Sequence, residues 1–112
     1  MTPFEEALIP KPAPECLNED QKEIWNFFEG ARALIIKKNS DYGSSAFTPP
    51  LLAPHVSTGD GILTRMSDKV KRLINLLSGA KAQINESVIE TVFDLGAYCF
   101  FYCIVEKRKN KR

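Results

Sequence analysis

Apolar and polar positions along the chain recur with helical spacing. Between Asn18 and about Lys38 the apolar residues Ile24, Phe27, Phe28, Ala31, Leu34 and Ile35 fall on one stripe at 3.6 residues per turn, as a core-facing helix requires. Asn18 can cap its first N–H groups, with Gln21 at the capping-box position. Glu19 and Asp20 suit the positive end of the helix dipole, and Lys37 and Lys38 its negative end. Leu63, Met66, Val70, Leu73 and Leu77 then alternate steps of three and four and predict a second amphipathic helix, with Asp60 or Thr58 as its cap. After a turn at Ser78–Gly79, Asn85 can cap a third helix from Glu86 to about Lys107. Its C-terminal half, with Phe93, Leu95, Phe100, Phe101, Tyr102, Ile104 and Val105, is apolar nearly all round. That half either lies at the centre of a bundle or pairs with another chain, with Gly96 and Ala97 permitting close helix approach.

The segments between these patterns are rich in proline and glycine. Residues 1–17 carry Pro3, Pro10, Pro12 and Pro14, which fix φ and remove backbone donors, so they are expected to form an extended arm. Phe4, Leu8 and Ile9 give the arm apolar material to lay on its own domain or a neighbour. From Asn39 to Asp60 come Gly43, Pro49, Pro50, Pro54 and Gly59, a connection of about 20 residues, and loops that long are often functional. The expected fold is therefore all-α: a bundle of three main helices in one domain, residues 18–112, with an extended N-terminal arm and a long loop between the first two helices.

Composition narrows the function. Fifteen basic and fourteen acidic residues leave a net charge of +1, so no global field draws the chain to nucleic acid or anionic membrane. The basic end, Lys107 to Arg112, reads as a solvated tail, and a DNA-binding role is the least favoured reading because no groove-reading helix is evident. Cys16, Cys99 and Cys103 match neither a zinc pattern nor a disulfide framework and read as reduced thiols. The start, Met1-Thr2-Pro3-Phe4-Glu5-Glu6, lacks the marks of a signal peptide, which points to the cytoplasm. The run Leu95 to Val105 is about half of the roughly 20 residues a bilayer span needs, so it reads as a buried helix rather than a membrane segment.

Three groups of residues could carry chemistry. Glu86, Glu90 and Asp94 recur every four residues along one strip of the third helix, where like charges repel unless cations or a divalent metal compensate them. Oxygen-only ligands would favour Mg²⁺. A solvated acidic face is the plain alternative. Arg65, Asp68, Lys69, Lys71 and Arg72 on the second helix read either as surface ion pairs, Asp68 with Arg65 or Arg72, or as a phosphate grip. In the grip, Arg72 is a planar fork and Lys69 a point charge. The segment Lys37 to Gly43 is either a helix stop, with Gly43 at positive φ, or part of a nucleotide site in which Tyr42, Phe47 or Trp25 offers a stacking surface. His55, the lone histidine, reads as a loop residue, and Cys99 with Cys103 as thiols at helix spacing.

Taken together, Lys38-Asn39-Ser40-Asp41-Tyr42-Gly43, the stretch Arg65 to Leu73 and the stretch Glu86 to Tyr98 resemble the first nucleotide modification associated domain family, common in phages. The resemblance covers roughly residues 30–105 and carries a more distant similarity to MazG-like, all-α nucleoside triphosphate pyrophosphohydrolases. It implies a helical, oligomeric protein that handles nucleotides with Mg²⁺ in phage nucleotide metabolism or DNA modification, in the host cytoplasm. Matching positions are Asp41, Tyr42, Gly43, Arg65, Asp68, Lys69, Arg72, Glu86, Glu90, Asp94 and Tyr98. Glu90 stands where the family favours Asp, and the E-x-x-E and E-x-x-D spacings of the MazG-like helices are both missing. The resulting expectation is Mg²⁺ on Glu86, Glu90 and Asp94, and substrate on Lys38, Tyr42, Arg65, Lys69, Arg72 and Tyr98. Asp41 or Asp68 would be the base, and the third helix would join subunits into a homo-oligomer. The rival is a non-catalytic phage protein that binds a nucleotide, or a host component through the arm and basic tail.

Overall fold

The computed structural model describes residues 2, 3, 6, 9, 12–79, 81 and 87–110. The fold is all-α, with three main helices and no strand among the described residues: α1 (Glu19–Asp41), α2 (Thr58–Leu77) and α3 (Val88–Lys109), with a 3₁₀ turn (Ser45–Phe47) in the long connection before α2. The chain forms two compact units, Met1–Ser44 and Ser45–Arg112.

In the first unit, α1 opens as its sequence requires. The Gln21 N–H donates to the Asn18 side chain at 2.8 Å and the Asn18 N–H to Gln21 Oε1 at 2.9 Å, a complete capping box. The helix ends three residues beyond Lys38 in a Schellman motif: the Ser44 N–H donates to the Asn39 carbonyl and the Gly43 N–H to that of Ser40. Gly43 has the expected positive φ, 56°, and Ser44 shares it at 61°. The apolar stripe is not covered as expected of a core-facing helix. Only Ala31 is buried, while Ile24, Phe27, Phe28 and Leu34 are exposed. In the arm, residues 12–14 lack regular structure, as their prolines demand. Pro3 and Glu6, by contrast, are helical, and the Glu6 N–H donates to the Thr2 carbonyl at 3.0 Å, a turn that Pro3 can start because its missing donor has no helical partner there. The Arg32 guanidinium bonds both Glu29 (2.9 Å) and the Ile9 carbonyl (3.3 Å), fastening arm to helix.

The second unit is an antiparallel helix hairpin. Arg65 lies by Tyr98, Lys69 by Asp94 and Arg72 by Thr91, so steps of four and three along α2 are matched by steps of four and three backwards along α3. Ile62 and Thr91 are fully enclosed on this contact line, and Val105 and Ala46 are buried beside it. The close approach is made at the start of α2 rather than at Gly96. A Cβ on Gly59 would meet the Tyr102 ring at 3.5 Å and one on Gly61 would meet Pro50 at 3.1 Å, whereas Gly96 has open space. Both helices are capped by serines not anticipated from the pattern. Ser57 Oγ accepts from the Asp60 N–H, in place of Thr58 or Asp60 as cap, and Ser87 Oγ accepts from the Glu90 N–H, so α3 starts later than Glu86. Asn85 and Glu86 lie outside the described residues.

The expectation that α3 is a buried helix is overturned. Only Thr91 and Val105 along it are buried. It is long and apolar enough to cross a membrane by length and composition, with a mean hydropathy of 1.7 over its most apolar window. The other described side chains of α3 are half-buried or exposed.

Candidate functional site

Along the hairpin's contact line the polar residues come in rungs. Nearest the α2 N-terminus, the Arg65 guanidinium lies 5.9 Å from the Tyr98 ring centre. Tyr98 packs edge-on against Phe101 at 5.9 Å, and Phe101 against Phe47 of the 3₁₀ turn at 5.2 Å, with the Arg108 guanidinium 4.7 Å over Phe47. In the middle, Lys69 Nζ sits 3.4 Å from Asp94 Oδ2, each side chain about a quarter exposed (24% and 25%). At the far end Arg72 Nε donates to Thr91 Oγ1 at 3.2 Å, and Thr91 donates in turn to the Ser87 carbonyl at 3.0 Å. Thr91 is thus a buried hydroxyl with both roles filled, which makes its burial affordable.

At about 100° per residue, Arg65, Asp68 and Arg72 turn to one side of the α2 contact line, and Leu63, Val70, Ile74 and Leu77 to the other. On α3 the corresponding sides carry Glu90, Asp94 and Phe101, and Val92, Cys99 and Cys103. Because the helices run in opposite directions, like sides adjoin. The hairpin therefore has a charged flank and an apolar flank. Pro50 against Gly61 and Phe47 against Phe101 place the long connection over one end of the charged flank. That connection is held by turns, with the Ala53 N–H bonded to the Pro50 carbonyl (3.1 Å) and the Val56 N–H to that of Ala53 (3.0 Å).

The expected site residues distribute unevenly. Arg65, Lys69, Arg72, Asp94 and Tyr98 come together along the hairpin. Glu90 stands one turn before Asp94, exposed, its carboxylate accepting from the Ser87 hydroxyl at 3.2 Å. Asp68 is exposed on the charged flank. Lys38, Asp41 and Tyr42 belong to the first unit, at the exposed C-terminal end of α1, where the helix-stop reading accounts for the local geometry. Glu86 lies outside the described residues. Among the described residues no three of His, Cys, Asp and Glu cluster as a metal cage. Two carboxylates one helical turn apart suit a magnesium ion that arrives on phosphate oxygens, since Mg²⁺ is commonly held by one or two carboxylates plus substrate and water.

Sequence reasoning offered Phe47 as a stacking surface and Phe101 as part of the apolar half of the third helix, but passed over Thr91. A lone threonine in an apolar helix carries no signal of its own, and its importance comes from Arg72 standing opposite. At the distal end, Lys109 bonds Glu106 at 3.0 Å, and that hydrogen bond and charge raise its ammonium above the ordinary value of 10.5. No family model, curated protein or solved structure matches the chain.

Proposed function

We propose that the charged flank of the hairpin binds the phosphates of a nucleoside triphosphate carrying Mg²⁺, and that the chain acts as a nucleotide pyrophosphohydrolase-like protein of the kind its sequence resembles. The supporting observation is the line Arg65, Lys69, Arg72 on one helix, facing Asp94 and Glu90 on the other and ending at the rings of Tyr98, Phe101 and Phe47. Three cations at steps of four and three span about 10 Å of helix, the scale of a triphosphate chain. An aromatic end gives a base a stacking surface.

In this reading a phosphate takes over the Lys69 ammonium as a point charge, and Arg72 presents its fork while Thr91 holds Nε. Release of Lys69 leaves the Asp94 carboxylate beside Glu90, and these two, with Glu86, would hold the metal. Bound there, Mg²⁺ would polarise the phosphoryl group and orient a water. Asp68, exposed on the same flank, or Asp41 would accept the water's proton.

A non-catalytic nucleotide-binding protein is the second reading, favoured by the pairing of Asp94 with Lys69, which already satisfies the carboxylate without metal. Incubation with each dNTP and NTP in Mg²⁺, following pyrophosphate release and binding in parallel, separates the two. Turnover supports the enzyme, binding without turnover the second reading, and neither sinks both. Lys69→Ala and Arg72→Ala are expected to weaken triphosphate binding tenfold or more while leaving nucleoside binding within about twofold, by loss of charge-assisted bonds. Equal losses for both ligands would remove the phosphate assignment.

A further inference from the structure

One cation at the aromatic end of the charged flank takes no part in the grip on phosphate. Arg108 follows Phe101 by close to two turns of α3, on the same side of the helix. From sequence it reads as part of a solvated tail. In the structure its guanidinium lies 4.7 Å over the centre of the Phe47 ring, and Phe47 meets Phe101 at 5.2 Å. The ring's negative face attracts the cation and keeps it at this end of the flank. A ring contact leaves the five N–H donors of a guanidinium unspent, and among the described residues no protein oxygen accepts from those of Arg108. Arg72, by contrast, donates to Thr91, and Lys69 faces Asp94.

We infer that Arg108 reads the base, and that the ligand of the flank is a guanine nucleotide, its O6 and N7 accepting two N–H bonds from the Arg108 fork. This rests on the nucleotide reading of the flank. The order of groups supports it: Arg65, Lys69 and Arg72 for the phosphates, then Tyr98, Phe101 and Phe47 for the face of the base, then Arg108 for its edge. Each of the three rings is half-buried, so part of it stays open to a ligand. The chemistry selects among bases. Arginine has donors only, and guanine sets two acceptors side by side, the commonest match for that fork. Adenine and cytosine place an amino donor on the same edge, and thymine and uracil a single acceptor. Reading an amino group would take an acceptor, but Glu106, the nearest carboxylate in sequence, is bonded to Lys109 at 3.0 Å.

The test uses α,β-imido nucleotides, which resist cleavage between those two phosphates, with Mg²⁺ and calorimetry on the full chain. The guanosine and inosine analogues, which share O6 and N7, are expected to bind alike and about tenfold more tightly than the adenosine and cytidine analogues. The 7-deazaguanosine analogue, lacking the N7 acceptor, is expected to lose most of that advantage. Arg108→Met is expected to weaken the guanosine analogue about tenfold more than the adenosine analogue, with unchanged helical circular dichroism. Arg108→Lys keeps the charge without the fork and is expected to restore less than half of the preference, in logarithmic terms. Equal affinity for all bases overturns the inference, as does a guanine preference that survives Arg108→Met. So does an equal loss for every base in that variant, which would mark Arg108 as a phosphate contact or a clamp on Phe47. Each of these outcomes leaves the nucleotide proposal standing. A parent chain that binds none of the analogues overturns both.

Discussion

The two flanks of the hairpin are made from the same two helices, a few residues apart in sequence, yet they finish their surfaces in opposite ways. On the charged flank, side chains reach across the contact line and satisfy one another, Lys69 with Asp94 and Arg72 with Thr91. On the apolar flank no polar pair is seen among the described residues, and Ile74 and Leu77 are exposed. Polar groups can finish a two-helix surface by pairing or by hydration. Apolar groups can finish it only by finding more surface.

The contrast can be broken most sharply on the line that separates the flanks. Ile62, 1% exposed, is the side chain both flanks share, and Ile62→Ala is expected to lower unfolding free energy by about 2–5 kcal/mol in urea titrations, whereas truncating an exposed leucine cannot. A loss below about 1 kcal/mol would mean that the hairpin is not packed about this residue. Next in size is Thr91→Val, nearly the same in shape but without the hydroxyl that meets Arg72 Nε, expected to cost about 1–3 kcal/mol because a charged donor loses its buried partner. Smaller again is the pair at the middle rung. In a double-mutant cycle of Lys69→Met and Asp94→Asn, coupling of about 0.5–1 kcal/mol is expected, since each group is a quarter exposed and screened. Zero coupling would mean that the pair is incidental to the fold. At the small end, Leu77→Ser is expected to change stability by less than about 0.5 kcal/mol, the behaviour of a surface site. A larger loss would show that the apolar flank is already covered within the chain.

The middle rung also revises what Asp94 does. From spacing alone, Glu86, Glu90 and Asp94 form a row of repelling carboxylates, so Asp94→Asn should relieve strain. With Lys69 3.4 Å away the sign reverses, and the substitution is expected to destabilise slightly. Which charge on α2 meets which on α3 depends on hairpin register, and one helix's periodicity carries no information about its neighbour. The same limit explains the other differences. The capping box of Asn18 and Gln21 and the positive φ of Gly43 are local and were legible, because the residues that decide them are three or four apart. Ser57 and Ser87 as caps were not, because Thr58, Asp60 and Asn85 are equally good cap formers and only tertiary placement selects among them. The apolar stripes were read correctly as stripes. What covers each one is not written in its own period, so α1 and α3 were expected to be covered where the protomer leaves them open.

The antiparallel register has a consequence for how this chain can change in length. A residue inserted within α2 between Ile62 and Lys69 would rotate everything after it by about 100° and carry Lys69 and Arg72 off Asp94 and Thr91 together, dismantling the charged flank in a single event. Insertions or deletions between Leu77 and Val88 move no rung, since each helix keeps its own phase and only the link between them is altered. Descendants of this sequence should therefore gather their gaps between those two residues, with the distance from Arg65 to Arg72 and from Thr91 to Tyr98 held constant. The hairpin acts as a ruler folded at its middle: its hinge can be remade, and its graduations cannot.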